Sequence, residues 1–215
     1  MGIERVWPLF GVRLETPRLV LRVLRDDDLA GVTEAAVAGI HGERMPFLHP
    51  WSEAEPAELR RSFAAFQWGR RAAVRPESWA LSFVVLQDGR PIGVQDLEAD
   101  GFAARRTVST GSWLTRSAQG QGLGSEMRAA VLMFAFDELG ASVAESAAFD
   151  WNAPSLAVSA RLGYRPNGSA RVSPRPGEVV EERRLRLDAA DLVRPAWPLA
   201  VTDADAARAA LIASA

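Results

Sequence analysis

A glycine-rich segment, Leu114–Ser125, has the residue types of an anion site built from main chain. It lies between a predicted strand and a predicted helix. Glycines let the backbone curl around an anion, and the helix start adds unpaired N–H groups and the positive end of its dipole. Gly122 and Gly124 permit the close approach, and the Gln119 amide offers a further contact. A tight turn made by the same glycines is the alternative interpretation.

Two common phosphate-binding motifs do not fit this segment. A Walker loop ends in Gly-Lys-Ser/Thr, whereas Gly124 is followed directly by Ser125. A dinucleotide-binding fold needs Gly-x-Gly-x-x-Gly after the first strand of a βαβ unit. Here Gly120, Gly122 and Gly124 have the wrong spacing and follow a predicted antiparallel meander.

Composition limits the classes of function that fit the chain. The 215 residues carry a net charge of −2 and include no cysteine, which excludes disulfides, Cys-ligated zinc and a thiol nucleophile, and fits a cytoplasmic protein. His41 and His49 are too few for a His-based metal cluster, so no metal site is expected. The balanced charge does not favour nucleic acid as a partner. The N-terminus lacks an apolar signal region and no apolar run reaches a membrane span, so no membrane partner is expected.

The elements around the glycine segment follow from hydrophobic periodicity and turn residues. They predict one α+β domain with an antiparallel meander. Predicted strands cover residues 12–23 (broken at Thr16-Pro17), 79–86, 91–98, 106–114, 142–149 and 178–187. Predicted helices run from the acidic residues 26–28 to about 40, then over 55–74, 125–139 and 153–162, with an ordered loop at 41–55. Asn152 is expected near the cap of the last helix, with Asp150 as the alternative cap. From residue 188 the sequence predicts a loosely attached tail, helical from about 203. The predicted division is a domain of residues 1–190 and an extension of residues 191–215.

The glycine segment also resembles a known family. Gln119, Gly122 and Gly124 match the pyrophosphate motif Arg/Gln-x-x-Gly-x-Gly/Ala of the GNAT acyltransferases. The segment LETPRLVLR at 14–22 and the residues Gly111–Leu114 resemble the RimJ/RimL-type branch, which acylates protein N-termini and other amines.

Further matches extend this resemblance over about residues 12–187. Asn152–Ser155 resembles the Asn-x-x-Ser helix of the branch, and residues 161–164 resemble its closing Gly-Phe/Tyr. The chain is also similar to an actinobacterial subgroup associated with succinyl-CoA, through Arg44–Phe47 and Glu126–Val131. The resemblance therefore implies acetyl-CoA or succinyl-CoA as cosubstrate.

The resemblance implies the GNAT fold, a mixed and mostly antiparallel twisted sheet flanked by helices, in which splayed parallel strands hold the cosubstrate. The backbone of Leu114 and Thr115 is expected to pair with the pantetheine arm. Asn152 and Ser155 are expected beside that arm near the thioester. The backbone amides expected to hold the pyrophosphate are those of Gln119, Gly120, Gln121, Gly122, Leu123, Gly124 and Ser125.

The implied reaction is direct attack of a neutral amine on the thioester, that is, an acyl-CoA-dependent N-acyltransferase. It needs an oxyanion donor and a proton for the leaving sulfur. The backbone N–H of Leu114, at a strand bulge, is the expected oxyanion donor, and Ser155 is expected near the sulfur. Many family members place a tyrosine seven residues after the helix asparagine, where this chain has Ser159. Tyr164 is interpreted as a packing residue.

The general base and the acceptor site are less specified. His41 has a suitable pKa class for a base, with a structural histidine as the alternative. Asp96 and Glu98 share a strand face and could act through water, with solvated surface acids as the alternative. The acceptor, a small-molecule or protein amine, is expected at the 41–55 loop. Side chains expected to line its pocket are His41, Met45, Phe47, Trp51 and Trp68, with a satellite core as the alternative.

A second class of function stays open because the family's tyrosine and strand glutamate are absent. The chain is then a catalytically weak GNAT relative that senses acyl-CoA and acts through a partner. RimJ/RimL-type proteins often dimerise, which leaves a homodimer open. If succinyl is the acyl group, its carboxylate needs a partner, for which His41, Arg44 and Arg116 are the candidates.

Overall fold

The computed structural model describes residues 2–212 and contains one open sheet of nine strands flanked by helices. The strands are β1 (Arg13–Glu15), β2 (Val20–Val23), β3 (Ser78–Gln87), β4 (Arg90–Asp100), β5 (Thr107–Leu114), β6 (Val143–Phe149), β7 (Arg165–Val172), β8 (Val180–Asp188) and β9 (Ala200–Thr202). The α-helices are α1 (Leu29–Val37), α2 (Pro56–Ala72), α3 (Phe102–Arg105), α4 (Leu123–Met133), α5 (Ala153–Arg161) and α6 (Ala204–Leu211).

The sheet is mixed, with the order β7-β8-β6-β5-β4-β3-β2-β1-β9. Every neighbouring pair is antiparallel except β5 and β6, which run parallel. The predicted α+β class and the mostly antiparallel sheet are therefore confirmed. The parallel pair requires a crossover, which α4 provides between the two strands.

Each face of the sheet carries its own hydrophobic core. Helices α1 and α2 cover one face, where Val32 and Phe63 pack with Val94 and Trp113 of the sheet. Helix α4 lies on the other face in a larger core, and its apolar residues from Leu123 onward are almost completely buried. A helix that is apolar on most sides needs such burial, as the sequence predicted.

Two tight turns match their sequence signals. Asp88 and Gly89, with φ of 50° and 75°, connect β3 to β4 in the left-handed conformations that an Asp-Gly hairpin turn requires. At Thr16-Pro17 the chain reverses, because β1 and β2 pair antiparallel with Leu14 opposite Leu21. The predicted broken strand is thus a hairpin.

The helix bounds differ from prediction by a few residues. Helix α1 ends at Val37, and Asp28 does not cap it with its side chain. That carboxylate instead forms a bidentate ion pair with Arg22, with both N–O distances at 2.6 Å. The 41–55 segment is irregular, as predicted, apart from one 3-10 turn at Trp51–Glu53.

The C-terminal segment is part of the sheet, so the expected loose attachment is wrong. Strand β9 pairs with β1, with Val201 opposite Leu14, and α6 buries Ala207 and Leu211 completely. The helix predicted from about residue 203 is confirmed. The division at residues 190 and 191 stays a prediction, and residues 213–215 lie outside the described residues.

Strand β7 is an element that the sequence did not predict. It forms an outer edge of the sheet and pairs only with β8. Most of its side chains are exposed, so no alternation of buried and exposed residues marks it. Pro166 interrupts its register, which shifts before Ser169.

Candidate functional site

The parallel strands β5 and β6 separate at the centre of the sheet. Their pairing begins with Thr107 opposite Val143 and ends with Ser109 opposite Glu145. Beyond that point β5 continues to Leu114 and β6 to Phe149. A wedge-shaped opening therefore forms between the two strands, as the predicted splay requires. The loop before α4 lies beyond the end of β5, at the mouth of this opening.

That loop presents a run of unpaired backbone donors. Within residues 2–212, the N–H groups of Gly120, Gln121, Gly122, Leu123 and Gly124 have no hydrogen-bond partner. Gly120 and Gly122 have φ of 73° and 80°, a left-handed conformation that places successive amides around one point. Helix α4 begins at Leu123, so its dipole adds to the same positive field. The arrangement suits a phosphate group.

Two of the seven predicted pyrophosphate donors are already engaged. The Gln119 N–H donates to the Arg116 carbonyl at 3.2 Å, and the Ser125 N–H donates to the Gly122 carbonyl at 3.2 Å. The predicted set of amides, Gln119 to Ser125, therefore contracts to the five central residues in this conformation.

The Gln119 side chain holds the loop instead of offering a free amide. Its Nε2 donates to the Ile40 carbonyl at 2.6 Å and to the Leu114 carbonyl at 2.8 Å. Both amide hydrogens are used, so the predicted further contact to an anion is not available. Gln119 connects the end of β5 with the chain that follows α1.

Arg18 lies beside the loop and was missed by the sequence reasoning. Its Nη1 donates to the Gln121 carbonyl at 2.9 Å, and its Nη2 is 3.5 Å from the position that a Gly122 Cβ would take. The Glu126 carboxylate, in the first turn of α4, pairs with Arg18 and accepts a hydrogen bond from Thr16 at 2.6 Å. The segment LETPRLVLR that supported the family resemblance contains both Thr16 and Arg18, but nothing in it indicates a contact with the loop.

The alternation of the β4–β5 ladder fixes the direction of the β5 amides. The Thr115 N–H donates to the Ile92 carbonyl at 2.8 Å, so the amides of alternate residues face β4. The amides of Ser112 and Leu114 therefore face the opening, as predicted for Leu114. The expected bulge is absent from the β4–β5 pair. The register of this pair runs without a shift from Gly93 opposite Leu114 to Glu98 opposite Ser109.

Helix α5 forms a further wall of the site. The Asn152 side chain caps it by accepting from the Ser155 N–H at 3.3 Å, which confirms the predicted cap. Val158 lies 3.6 Å from where a Gly124 Cβ would be, so α5 packs against the start of α4. Ser155 is partly exposed, and its hydroxyl has no hydrogen bond with the described residues. Ser159, one turn later, is buried.

Arg128 is a buried cation at this wall and was also missed. Its Nη1 donates to the Ser159 hydroxyl at 2.8 Å, and its Nη2 donates to the Ser112 hydroxyl at 3.2 Å. Burial lowers the pKa of the guanidinium. Tyr164 is buried nearby, where burial raises its phenol pKa, and it lies 3.4 Å from Thr110. This placement fits the predicted packing role of Tyr164.

Asp96 lies on β4, next to the separated part of β5. It lies opposite Gly111 in the ladder, and its Oδ2 is 3.9 Å from where a Gly111 Cβ would be. Its Oδ1 is buried without a hydrogen bond, 3.6 Å from Arg70. Burial raises the pKa of this carboxyl, and the Arg70 charge opposes that shift. The Asp96 side chain is 21% exposed, so this acid is partly buried, and its role as a base stays a prediction.

His41 and the aromatic residues form a packed cluster. The His41 Nδ1 lies 2.8 Å from the Gly42 carbonyl, and Nε2 lies 2.9 Å from the Ser52 hydroxyl. Since a carbonyl only accepts, Nδ1 is protonated in the neutral ring and Nε2 accepts from the serine. Both nitrogens are used, which favours a structural role over the predicted base.

The predicted acceptor residues pack mainly against one another. Phe47 and Trp51 have ring centroids 5.4 Å apart, and Trp51 contacts Trp113 at 5.8 Å. Met45 is buried. Trp68 lies apart from them, half exposed and hydrogen-bonded to Asp26 at 3.1 Å. The structure thus favours a satellite core at this loop, with Trp113 as its contact to β5.

The described part of the chain contains no group of His, Cys, Asp and Glu side chains that could hold a metal ion. No helix within residues 2–212 is long and apolar enough to cross a bilayer.

Arg44, a candidate partner for a distal carboxylate, stacks on Trp151 with its Cζ 4.1 Å from the ring centroid. Arg116 lies at the loop, with its Cδ 3.4 Å from where a Gly39 Cβ would be.

Comparisons with known proteins agree with this geometry. RimJ of Mycobacterium smegmatis, solved with CoA-disulfide, is similar at 21% identity and a TM-score of 0.67 over 96% of this chain and 98% of that one. A RimL ribosomal L7/L12 alpha-N-protein acetyltransferase in complex with CoA is similar at 15% identity and a TM-score of 0.64, over 80% of this chain and 95% of that one. A structure from Vibrio cholerae described as a ribosomal-protein-serine acetyltransferase is similar at 21% identity and a TM-score of 0.61, over 82% of this chain and 97% of that one. The family model for the acetyltransferase (GNAT) domain matches residues 18–165, more than half of the chain. The chain therefore belongs to the GNAT acetyltransferase family.

Proposed function

We propose that this protein transfers an acyl group from acyl-CoA to a primary amine by direct attack on the thioester. The observation that carries the proposal is the run of five unpaired amides at Gly120–Gly124, placed at the mouth of the opening between β5 and β6. Such donors fit the pyrophosphate of CoA, and the opening leads from there towards the interior of the sheet.

The reacting carbonyl lies deeper than Leu114 in this proposal. Each strand residue advances the chain by roughly 3.3 Å, so Ser112 lies roughly 7 Å further from the loop than Leu114. Acyl-CoA supplies the activated thioester. The amides of Ser112 and Leu114 both face the opening, and the amide nearer the carbonyl stabilises the oxyanion.

Asp96 is the base that we assign. The amine attacks only in its neutral form, and a carboxylate whose pKa is raised by burial accepts a proton at neutral pH better than an exposed one. Gly111, opposite Asp96, leaves room for an amine because it has no side chain. Asn152 and Ser155 flank the pantetheine arm from α5.

The acyl group and the acceptor are narrower parts of the proposal. Acetyl and succinyl both remain donors, and His41, Arg44 and Arg116 remain candidates for a distal carboxylate. The acceptor is a small-molecule or protein amine. The RimL neighbour is an alpha-N-protein acetyltransferase, so a protein N-terminus belongs in the first acceptor screen.

Calorimetric titration with acetyl-CoA, succinyl-CoA and CoA tests the cosubstrate. Gly122→Glu should abolish binding, because it places a negative side chain at a left-handed position of the anion loop. Gly168→Glu is the matched control, since Gly168 also has a positive φ, of 92°, but lies in the exposed strand β7 with open space around it. If wild type binds no CoA species, the proposal fails.

Turnover separates an enzyme from a sensor. Release of free thiol from acyl-CoA should depend on an added amine if the protein is an acyltransferase. Tight binding with no amine-dependent thiol release across peptides, lysine, polyamines and small amines would instead support the acyl-CoA-sensing alternative. The oligomeric state, for which a homodimer is left open, is measured on the same sample by light scattering.

A further inference from the structure

Arg128 is a buried cation without a buried counter-charge. Its relative exposure is 4%, and no carboxylate of the described residues lies within 4.0 Å of it. Its hydrogen bonds go to two serine hydroxyls, those of Ser112 and Ser159. Its Nε has no hydrogen-bond partner in the part of the chain described.

Such a residue is costly for the fold. Removing a charge from water without a counter-ion destabilises the folded state. The dipoles of the two serine hydroxyls and of the nearby Tyr164 phenol, which its raised pKa keeps neutral, offset only part of this free-energy cost. A methionine of similar length would fill the same space. The buried charge therefore favours an interaction with an anion that is not part of the protein itself.

The position of Arg128 indicates which anion. Ser112 belongs to the part of β5 that has already separated from β6, and Ser159 lies on α5 one turn after Ser155. The guanidinium thus connects two walls of the opening in which the thioester is proposed to lie. Two anions form there during acyl transfer. The oxyanion is stabilised by the β5 amides, and the departing thiolate is proposed to lie on the α5 side, where Ser159 is.

We propose that Arg128 is a positioning residue that stabilises the thiolate of CoA through the hydroxyl of Ser159; this inference rests on the proposed function. The amine lone pair forms the C–N bond, and the carbonyl π electrons move to oxygen. When the carbonyl re-forms, the C–S bond breaks and its electron pair leaves with sulfur. The proton lost by the amine nitrogen passes by way of the base to solvent, and the thiolate is finally protonated to give free CoA.

The hydrogen bonds give Ser159 a defined polarity. Arg128 Nη1–H donates to Ser159 Oγ, and the single hydroxyl proton of Ser159 is directed to the Ser155 carbonyl at 3.1 Å. With a thiolate in the opening, this proton has a stronger acceptor. The fixed guanidinium behind it acts through low-dielectric protein, where its field is weakly screened.

The test measures the pKa of the thiol of bound CoA, using the ultraviolet absorbance of the thiolate to follow its titration. An opposite charge nearby lowers a pKa by roughly one to three pH units. Bound CoA should therefore titrate below free CoA on wild type and at least about one unit higher on Arg128→Met than on wild type. Arg128→Lys, which keeps the charge, should give an intermediate value. Arg71→Met is the control, because Arg71 lies on α2 and pairs with Asp26, away from the opening.

A merely structural Arg128 would give a different set of results. Arg128→Met would then lose thermal stability and leave the thiol pKa unchanged, which would overturn the inference. We expect the reverse, a melting temperature equal to or above wild type, because a buried unpaired charge is removed. A selective loss of affinity for succinyl-CoA with an unchanged thiol pKa would assign Arg128 to the donor carboxylate and also overturn it. Absence of CoA binding to wild type would instead reject the proposed function itself.

Discussion

Arg18 and Glu126 form an ion pair directly beside the glycine loop, with 2.7 Å between Arg18 Nε and Glu126 Oε2. The carboxylate is buried, whereas about half of the arginine side chain is exposed. The same guanidinium donates to the Gln121 carbonyl. The pair therefore fixes the β1–β2 hairpin to the loop and neutralises an acid that would otherwise repel a phosphate.

Replacing Arg18 should weaken CoA binding through that acid. In Arg18→Ala the Glu126 carboxylate is left unpaired near the pyrophosphate, so we expect CoA affinity to fall by about tenfold, equivalent to ~1.4 kcal/mol. Adding Glu126→Gln should restore most of the loss, because the repelling charge is then gone. Calorimetry at low and high salt measures both effects. Equal affinities for wild type and Arg18→Ala would contradict this account of the pair.

Gln119 should tolerate only side chains that donate hydrogen bonds. Its Nε2 donates to two carbonyls, those of Ile40 and Leu114, and a lost partner at a buried acceptor costs roughly 1–3 kcal/mol. Gln119→Glu has nearly the same shape but cannot donate, so its CoA affinity and melting temperature should fall as far as those of Gln119→Ala. Gln119→Arg retains N–H donors and should lose less. If Glu is tolerated as well as Arg, the bracing role is incorrect.

Asp96 gives a prediction about pH. Burial raises the pKa of this carboxyl in the folded protein, so its ionisation destabilises the fold as pH rises from the unfolded-state pKa to the folded-state pKa. Above the folded-state pKa the cost is constant, and below the unfolded-state pKa it is absent. Asp96→Asn should therefore raise the melting temperature at neutral pH, and the difference should vanish in acid.

The same substitution should remove the base. We expect kcat to fall by roughly 100-fold or more in Asp96→Asn, and the rise of wild-type kcat/KM with pH to follow the raised pKa of Asp96. Asp100→Asn is the control, because Asp100 is an exposed acid at the end of the same strand. If Asp96→Asn keeps both the rate and the pH–rate profile of the wild type, another group accepts the proton.

The C-terminal helix should contribute strongly to stability. Leu211 is completely buried in the core below α6, and truncating such a leucine costs roughly 2–5 kcal/mol. Leu211→Ala should therefore lower the free energy of unfolding by that amount in denaturant titrations. Val193→Ala, at an exposed position of the same segment, should change it by no more than about 0.5 kcal/mol. Equal effects would mean that the segment is loosely attached after all.

Local chemistry was enough to predict several elements from the sequence. The Asp88-Gly89 turn needs positive φ, and the glycines before α4 allow both a close approach and a helix start, so each is determined by residues adjacent in the chain. The same holds for the cap of α5 by Asn152. The α+β class and the antiparallel meander also followed from periodicity and turn residues.

The sequence by itself determined the family, the glycine loop before α4 and the strands and helices whose signal lies within a few residues. Tertiary structure alone decided which distant groups share the site: Arg18 with Gln121, Asp96 with Gly111, and Arg128 with Ser159. It also placed β9 at the edge of the sheet and recruited the exposed strand β7. The physical reason is that burial, pKa and ion pairing depend on neighbours in space. A charged residue in a sequence is most often solvated, and only the packed fold shows where it is not.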